Sequence, residues 1–359
     1  MTSNRIWMAV GSALVFAFLL GWVSVRQSVL WLVGLGMGVT LASARFGFTT
    51  GWRMLIVHRD PRGVAAQVLL LGLASWIALP LLHQFQELQA ALGPPSWSLL
   101  LGAFVFGLCM QISDGCGSGT LYKAGMGVSL NLGLLPWFAL GSFLGSVHLD
   151  WWLRLGSLPP VSLLSHWGLW PALGATTLGL LLMLGLARRW VGPGQVWWQA
   201  RWVGGAIALA VLASLNLVLA GQPWGVVYGF GLWVAKASTA IGAFDPLTNA
   251  YWSAPHNLQS LSQSVLLDVT TITSLGILVG AAWVAQAHPP ADRSLNRKQW
   301  ALGLLAGLLL GYSSRLAFGC NVGAMLSGIA TGSLHGWIWV VMAFAGTLFG
   351  VRLRQRWGF

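Results

Sequence analysis

The stretch Cys109-Met-Gln-Ile-Ser-Asp-Gly-Cys116-Gly-Ser-Gly-Thr120 interrupts a long apolar run with two thiols, one carboxylate and a glycine cluster. Its core recurs far downstream as Gly319-Cys320-Asn321-Val322-Gly323, so both copies read Gly-Cys-x-x-Gly. Another glycine stands nine residues before each cysteine, at Gly107 and Gly311. A pattern repeated this closely predicts two related halves, each with a functional loop.

The composition identifies a polytopic membrane protein. Hydrophobic residues make up 56% of the 359 residues and charged residues only 7%, whereas soluble domains carry roughly a quarter charged residues. The mean hydropathy is +0.73. The net charge of +12 comes from short clusters between apolar segments, which indicates cytoplasmic loops rather than nucleic-acid binding. The spacing of the three cysteines is not that of a metal site, and we predict no disulfide framework, metal or cofactor.

Ten apolar segments are long enough to span a bilayer. They cover about 7–23, 29–44, 64–82, 97–112, 129–147, 167–187, 202–220, 260–284, 300–318 and 335–351. The first has no small-residue cleavage site before Arg26, so we predict a retained helix rather than a signal peptide.

Basic residues fall in alternate connections between these segments. This distribution predicts that both termini are cytoplasmic, in a multi-pass protein of the bacterial inner membrane. The clusters comprise Arg53, Arg59, Arg62, Arg188, Arg189, Arg201, Arg293, Arg297, Lys298, Arg352, Arg354 and Arg356.

Four further apolar pieces are too short or too broken to span, and each begins at two glycines four residues apart. They cover about 48–57, 117–128, 223–240 and 321–332. Because these pieces occupy equivalent places in two halves, we predict an all-α inverted-topology repeat of about ten transmembrane helices and four re-entrant half-helices. The predicted units are an extra helix at 1–28, a first repeat at 29–166, a linking helix and cytoplasmic loop at 167–201, and a second repeat at 202–359.

The two Gly-Cys loops have the chemistry of an anion site. Each precedes a half-helix, whose N-terminus offers free N–H groups and a partial positive charge. Glycines let a ligand approach the backbone, and a thiol at such a terminus is polarised. The candidate binding residues are Gly115, Cys116, Gly117, Ser118, Gly119, Thr120, Gly319, Cys320 and Asn321.

Charged residues within or beside apolar segments are the other candidates, because buried charge in a membrane is costly and usually paired or functional. Arg45 and Arg315 precede loops and either attract anions toward a vestibule or extend to the interface. Lys236 is a further candidate, and we interpret Asp114 as the N-cap of the half-helix after it. Cys109 lies on an apolar helix and is interpreted first as a core residue.

Four motifs resemble the YeeE/YedE family of bacterial inner-membrane sulfur-compound transporters, over about residues 29–351. The motifs are Arg45-Phe-Gly-Phe-Thr-Thr-Gly-Trp-Arg53, Asp114-Gly-Cys-Gly-Ser-Gly-Thr-Leu-Tyr-Lys-Ala-Gly125, Ala220-Gly-Gln-Pro-Trp-Gly225 followed by Gly231-Leu-Trp-Val-Ala-Lys236, and Arg315-Leu-Ala-Phe-Gly-Cys-Asn-Val-Gly323.

The resemblance implies an hourglass-like fold and thiosulfate uptake, with thiols at the constriction passing the ion along through weak hydrogen bonds. It assigns that role to Cys116 and Cys320. The resemblance also implies a third cysteine, about where this chain has Gly47 and Phe48. Three explanations of its absence are open: Cys109 substitutes for it, two thiols suffice, or the substrate is another sulfur or selenium oxyanion. The resemblance also implies a small cytoplasmic sulfur-handling partner.

The residues favour a small divalent anion, and the resemblance implies that it contains sulfur. The leading hypothesis is therefore a permease, not an enzyme, for a small sulfur-containing anion, with thiosulfate as the first candidate. One alternative is a sulfur carrier or thiol enzyme in which Cys116 forms a persulfide. No histidine adjoins either loop to act as the base that nucleophilic thiols usually need. The other alternative is an anion channel whose cysteines are structural.

Overall fold

Regular structure in the computed structural model, which describes residues 3–290 and 294–359, is helical apart from two isolated β-bridges. Arg293 of the predicted basic clusters lies outside the described residues. The first helices are α1 (Ser3–Trp22), α2 (Val25–Ala44), α3 (Phe48–His58), α4 (Arg62–Gln84), α5 (Trp97–Ile112), α6 (Gly117–Gly125), α7 (Ser129–Val147), α8 (Leu149–Arg154) and α9 (Leu163–Trp167).

The remaining helices are α10 (Leu169–Val191), α11 (Ala200–Ala220), α12 (Val227–Ala240), α13 (Pro255–Ser262), α14 (Val269–Ala285), α15 (Arg297–Leu316), α16 (Ser327–Ala330) and α17 (Leu334–Arg356). Short 3₁₀ turns cover Pro246–Thr248 and Val265–Leu267, and a π-helix covers Asn321–Leu326.

Nine helical stretches in the described part of the chain are long and apolar enough to cross a membrane, which confirms the polytopic class. They coincide with nine of the ten predicted spans. The tenth corresponds to α14, which has 17 residues and begins at Val269 rather than near 260. The earlier start was wrong because α13 ends at Ser262 and Asp268 is the N-cap of α14, accepting a hydrogen bond from the Thr271 amide.

All four short apolar pieces contain helix. The first two are α3 and α6, at the predicted positions. The third begins later than predicted, because Val226 is the N-cap of α12 and the Gly221/Gly225 pair lies in the loop before it. The fourth is a π-helix followed by the single turn of α16.

Glycines set the closest helix contacts in the bundle. Gly107 of α5 faces the Ala343 carbonyl of α17, and Gly346 of α17 faces the Phe104 carbonyl of α5. Small residues let membrane helices approach to backbone distance in this way. The same reciprocal contact joins α7 to α15 and α2 to α14, through Gly141, Gly145, Gly311, Gly34, Gly38, Gly276 and Gly280.

The helices of these pairs run in the same direction. Along α7 and α15 the contacts advance together, from Leu130 against Gly303 to Phe138 against Gly311. Because these parallel pairs join helices that are distant in sequence, the loop before α6 and the loop after α15 both lie inside the bundle.

Hydrogen bonds between distant loops define two ends of the bundle. At one, the Gln89 amide donates to the Gly221 carbonyl at 2.8 Å and the Ala91 amide donates to Thr331 Oγ1 at 3.0 Å. We call this the vestibule end. At the other, Arg59 donates to the Trp190 carbonyl at 3.3 Å. We call it the basic end; α4 and α11 each run from it to the vestibule end.

Replacing Gly107 with alanine is expected to destabilise the bundle by about 1–3 kcal/mol, because the added methyl group overlaps the Ala343 carbonyl. Gly174→Ala in α10 is the matched control, since no neighbouring atom lies within 4 Å of its added carbon. Thermal unfolding of the purified proteins should show a lower Tm for the first variant only. Equal Tm values would contradict the proposed close packing.

Candidate functional site

The same turn precedes three of the short helices. Its first residue is left-handed, with φ of 47° at Arg45, 52° at Asp114 and 57° at Phe318. The next amide donates five residues back, as in Gly115 to the Met110 carbonyl at 3.1 Å and Gly319 to the Ser314 carbonyl at 2.8 Å. This closes the preceding helix, and the third residue is the N-cap of the next one.

Cys116 and Cys320 are the N-caps in two of these turns. Their φ and ψ values are −83° and −168° for Cys116, and −98° and −166° for Cys320. The Cys116 sulfur accepts a hydrogen bond from the Gly119 amide at 3.4 Å and lies 3.5 Å from Ser118 Oγ. Cys320 has no side-chain capping bond. The sequence-predicted equivalence of the loops therefore has a matching backbone geometry.

The structure brings these two N-termini together. The Cys320 sulfur lies against Gly117, 3.0 Å from the position that a Cβ there would occupy. The two thiols thus belong to one site, in which any side chain larger than glycine at position 117 would press on Cys320.

Several polar atoms of this site are buried without a partner. Cys116 is 1% exposed, and Cys320 and Asn321 are 0% exposed. Both polar atoms of the Asn321 amide and the Thr120 hydroxyl lack hydrogen-bond partners in the described structure. Buried groups of this kind carry a cost of about 1–3 kcal/mol each unless something binds them. Their position beside the two thiols is that expected for groups that contact a polar ligand.

Gly47 occupies the third turn, as the N-cap of α3. It therefore stands at the place of Cys116 and Cys320 but offers no side chain. The atoms nearest to a Cβ at position 47 belong to Thr50, the closest at 3.0 Å. The turn at which the resemblance implies a first-loop cysteine is thus preserved, and glycine stands there instead.

Cys109 lies within α5, two turns before Cys116, and is buried in the apolar interior. Its carbonyl accepts hydrogen bonds from the Ser113 amide and hydroxyl, at 3.0 and 2.9 Å. It is not an N-cap, and the structure does not give its thiol the geometry that Cys116 and Cys320 share.

Asp114 is the centre of a cation cluster. Its carboxylate accepts hydrogen bonds from Arg53 Nη1 at 2.7 Å and Lys123 Nζ at 2.6 Å, with Arg354 Nη1 at 3.3 Å. Lys123 also donates to the Asp114 carbonyl at 2.5 Å. The prediction that Asp114 caps the following helix was wrong: Cys116 is the cap, because cations from α3, α6 and α17 hold the Asp114 side chain.

A polar cavity of about 1030 Å³ opens at the vestibule end. It extends inward to the loop before α12, the turn after α15 and the π-helix, where Gly225, Phe318 and Gly323 line it. Two tyrosines on its wall, Tyr228 and Tyr251, lie 5.7 and 4.9 Å from the Arg315 guanidinium, which also donates to the Tyr251 hydroxyl. Sequence reasoning found Arg315 but gave no signal for these aromatic partners.

The other two predicted cations lie outside this arrangement. Lys236 donates to the carbonyls of Leu261 and Gln263, at 2.7 and 2.5 Å, and so ties α12 to the end of α13. Arg45 is exposed on the turn before Gly47 and forms no ion pair within the described residues. The structure therefore supports a structural role for Lys236 and leaves Arg45 accessible.

The class of protein that this fold and site define is a multi-pass membrane transporter, not an enzyme. Residues 43–349 match the family described as Sulphur transport. The chain belongs to the sulphur transport family, and this confirms the family resemblance of its motifs.

Two relatives match nearly the whole chain. The thiosulfate transporter TsuA of Spirochaeta thermophila is 26% identical over 329 residues, which cover 86% of this chain and 92% of that protein. The thiosulfate transporter TsuA of Escherichia coli K12 is 23% identical over 338 residues, covering 88% and 91%. The probable transporter YedE of Escherichia coli K12 is 28% identical over 150 residues, covering 41% of this chain and 36% of that protein.

The capping bond predicts a difference between the two thiols. Cys116→Ala should lower stability by about 0.5–2 kcal/mol, because the Gly119 amide loses its acceptor. Cys116→Ser should keep or raise stability, since serine is a strong N-cap. Cys320→Ala should cost less than Cys116→Ala, because no capping bond is lost. Thermal unfolding of the three purified variants tests this, and an unstable serine variant would refute the capping role.

Proposed function

We propose that this chain imports thiosulfate, or a closely related small sulfur anion, across the bacterial inner membrane. The observation that carries the proposal is the meeting of the two thiol N-caps, Cys116 and Cys320, between a polar vestibule and a cation cluster. Membership of the sulphur transport family supports thiosulfate as the substrate, and so does the similarity to two thiosulfate transporters over most of the chain.

In the proposed path, the anion enters the vestibule past Arg315 and reaches the buried loop of Cys320 and Asn321. The unpartnered amide of Asn321 then supplies hydrogen bonds to the ion. Next the ion passes the thiol of Cys116 and leaves beside Arg53 and Lys123. The helix N-termini supply partial positive charge and the three cations supply full charge, so the whole path favours an anion over a cation.

The thiols act in this proposal as neutral, weak hydrogen-bond donors. Full charges at the constriction would hold a dianion too tightly, and conduction requires sites that are favourable to occupy but easy to leave. The helix N-termini provide the electrostatic stabilisation, while the thiols hand the ion from one half of the site to the other. No covalent step is needed.

The inverted repeat is part of the proposal, with 29–166 and 202–359 as the repeats, 1–28 as an added helix and 167–201 as a link. Helix packing supports it. In a repeat, α5 would correspond to α15 and α7 to α17. The pair α5/α17 would then be equivalent to the pair α15/α7, and both pairs pack through glycines. Gly107 and Gly311, nine residues before the cysteines, each face a carbonyl across such a pair.

The proposed orientation places the basic end in the cytoplasm, with both termini there. Arg59, Arg201 and Arg354 lie at that end, as the positive-inside rule requires of cytoplasmic loops. Import would then run from the vestibule to the cation cluster. A small cytoplasmic sulfur-handling protein as a partner is a proposal on family resemblance alone.

Uptake by living cells tests the function. A bacterium without its own sulfate and thiosulfate importers would express the wild type, Cys116→Ser or Cys320→Ala, with thiosulfate as sole sulfur source and membrane levels matched. Wild type should support growth. Cys320→Ala should lower labelled-thiosulfate uptake roughly tenfold, the value of one lost hydrogen bond. Cys116→Ser should also lower uptake, because its stronger hydroxyl donor holds the ion more tightly and slows its release.

Because Cys116→Ser keeps the helix cap, its loss of uptake would separate a relay thiol from a structural one. Normal uptake by Cys116→Ser would support an anion channel with structural cysteines. Failure of the wild type to grow would reject thiosulfate as the substrate. A persistent sulfur adduct on Cys116 in the mass spectrum after substrate exposure would favour the carrier alternative.

Cys109→Ala decides whether the relay has two or three thiols. Since Cys109 is not an N-cap and lies in the apolar interior, we expect uptake within about twofold of wild type and a modest loss of stability. Uptake at several thiosulfate concentrations and the Tm would be measured together. A fall in uptake as large as that of Cys320→Ala, with normal Tm, would place Cys109 in the relay.

A further inference from the structure

The Asp114 cluster contains more positive charge than its carboxylate balances. Arg53 and Lys123 each donate to a different carboxylate oxygen, at 2.7 and 2.6 Å. These two cations alone carry two charges against one, before Arg354 is counted. Distances of this size are typical of charge-assisted hydrogen bonds to oxyanions as well as to carboxylates. The two positive charges would therefore be balanced by a small dianion, whereas the single charge of the Asp114 carboxylate leaves one of them unbalanced.

The cluster is partly exposed and adjoins the buried constriction. The side chains of Asp114, Arg53 and Lys123 are 27%, 21% and 16% exposed, whereas Cys116, two residues after Asp114, is buried. Lys123 lies on α6, the helix that Cys116 caps, which ties the cluster to the thiol. An ion that has passed Cys116 toward the basic end therefore meets this cluster next.

The carboxylate can move without unfolding its loop. The loop backbone is held by other bonds: Lys123 to the Asp114 carbonyl, Asn131 Nδ2 to the Ser113 carbonyl at 3.1 Å, and the Gly115 amide to the Met110 carbonyl. Only the side chain of Asp114 depends on Arg53. Exchange of an incoming anion for the carboxylate thus needs a rotation of one side chain.

We propose that Arg53 and Lys123 form a second anion site, on the basic side of the constriction, for a small divalent oxyanion. The Asp114 carboxylate is its built-in competitor: it occupies the site when no ion is present and displaces the ion after binding. A pair of cations without such a competitor would retain a dianion, which would slow its release. The identity of the ion and its direction of travel rest on the proposed function, whereas the site itself rests on the contacts of Arg53, Lys123 and Asp114.

Binding of sulfate and of thiosulfate to the purified full chain, measured by calorimetry at fixed ionic strength, tests this site. Asp114→Asn removes the competing charge and keeps the side-chain shape, so both anions should bind at least about tenfold more tightly. The gain should disappear in the Arg53→Gln, Asp114→Asn double variant, which locates it at this cluster. Uptake by Asp114→Asn should saturate at lower concentration and reach a lower maximal rate.

Asp60→Asn is the matched control. Asp60 also pairs with an arginine near the basic end, accepting from Arg62 at 2.6–3.1 Å, and this pair holds the pKa of the Asp60 carboxyl below its usual range. Its removal changes the net charge of the protein equally, outside the half-helix loops. Anion affinity should therefore equal that of wild type.

The outcomes separate the site from the transport function. Equal anion affinity of wild type and Asp114→Asn overturns the site, even if the wild type takes up thiosulfate normally. Tighter binding by Asp114→Asn, without thiosulfate uptake by any form, supports the site and rejects the substrate. If Asp114→Asn does not fold, Arg53→Gln serves instead, because the wild-type Arg53 side chain bonds only Asp114 among the described residues. Unchanged anion affinity in Arg53→Gln also overturns the site.

Discussion

Irregular backbone inside a bilayer must find hydrogen-bond partners within the protein, and the site depends on how this chain meets that requirement. Between α5 and α6, three successive carbonyls have left the helical ladder. Asn131 donates to the first at 3.1 Å, Lys123 to the second at 2.5 Å and the Ser113 hydroxyl to the third at 3.0 Å. The break that presents Cys116 is stable because α6, α7 and the loop's own serine supply these donors.

Buried amide side chains also hold the first turn of α3. Gln67 Nε2 donates to the Phe48 carbonyl at 3.1 Å, and Gln111 Nε2 donates to the Thr49 carbonyl at 3.3 Å. A buried glutamine in an apolar helix is costly alone, and here its donor binds the start of a neighbouring short helix. Polar residues scattered through the apolar segments thus mark where other segments break.

Hydropathy and glycine spacing were sufficient to predict most of the helices, because both are local properties of the chain. α4 and α11 agree with their predicted spans within a few residues. The start of α14 also had a local signal, since Asp268 before Val-Thr-Thr is a typical N-cap sequence, which a prediction from apolar length alone misses. The two thiol loops were predicted as a pair from their repeated motif, and the structure places them in contact.

The partners of Asp114 and Arg315 could not be predicted in the same way. Arg53 and Arg354 lie 61 and 240 residues from Asp114 in the sequence, so only the packing of α3 and α17 against α5 brings them together. Without those partners, an aspartate before a half-helix has the pattern of a cap. Tyr251 likewise reaches Arg315 from a long loop with no periodic pattern.

The backbone contacts at glycine in α2/α14, α5/α17 and α7/α15 have a mechanical consequence. A Cα that rests on a carbonyl of the adjacent helix leaves no side-chain layer over which the helices can slide. Each pair joins one half of the chain to the other, so the halves are locked together. Rocking of one half against the other, by which many transporters alternate their exposure, would have to break these contacts. We therefore expect the substrate to cross at a rate set by side-chain and loop motion, while the helix bundle stays rigid.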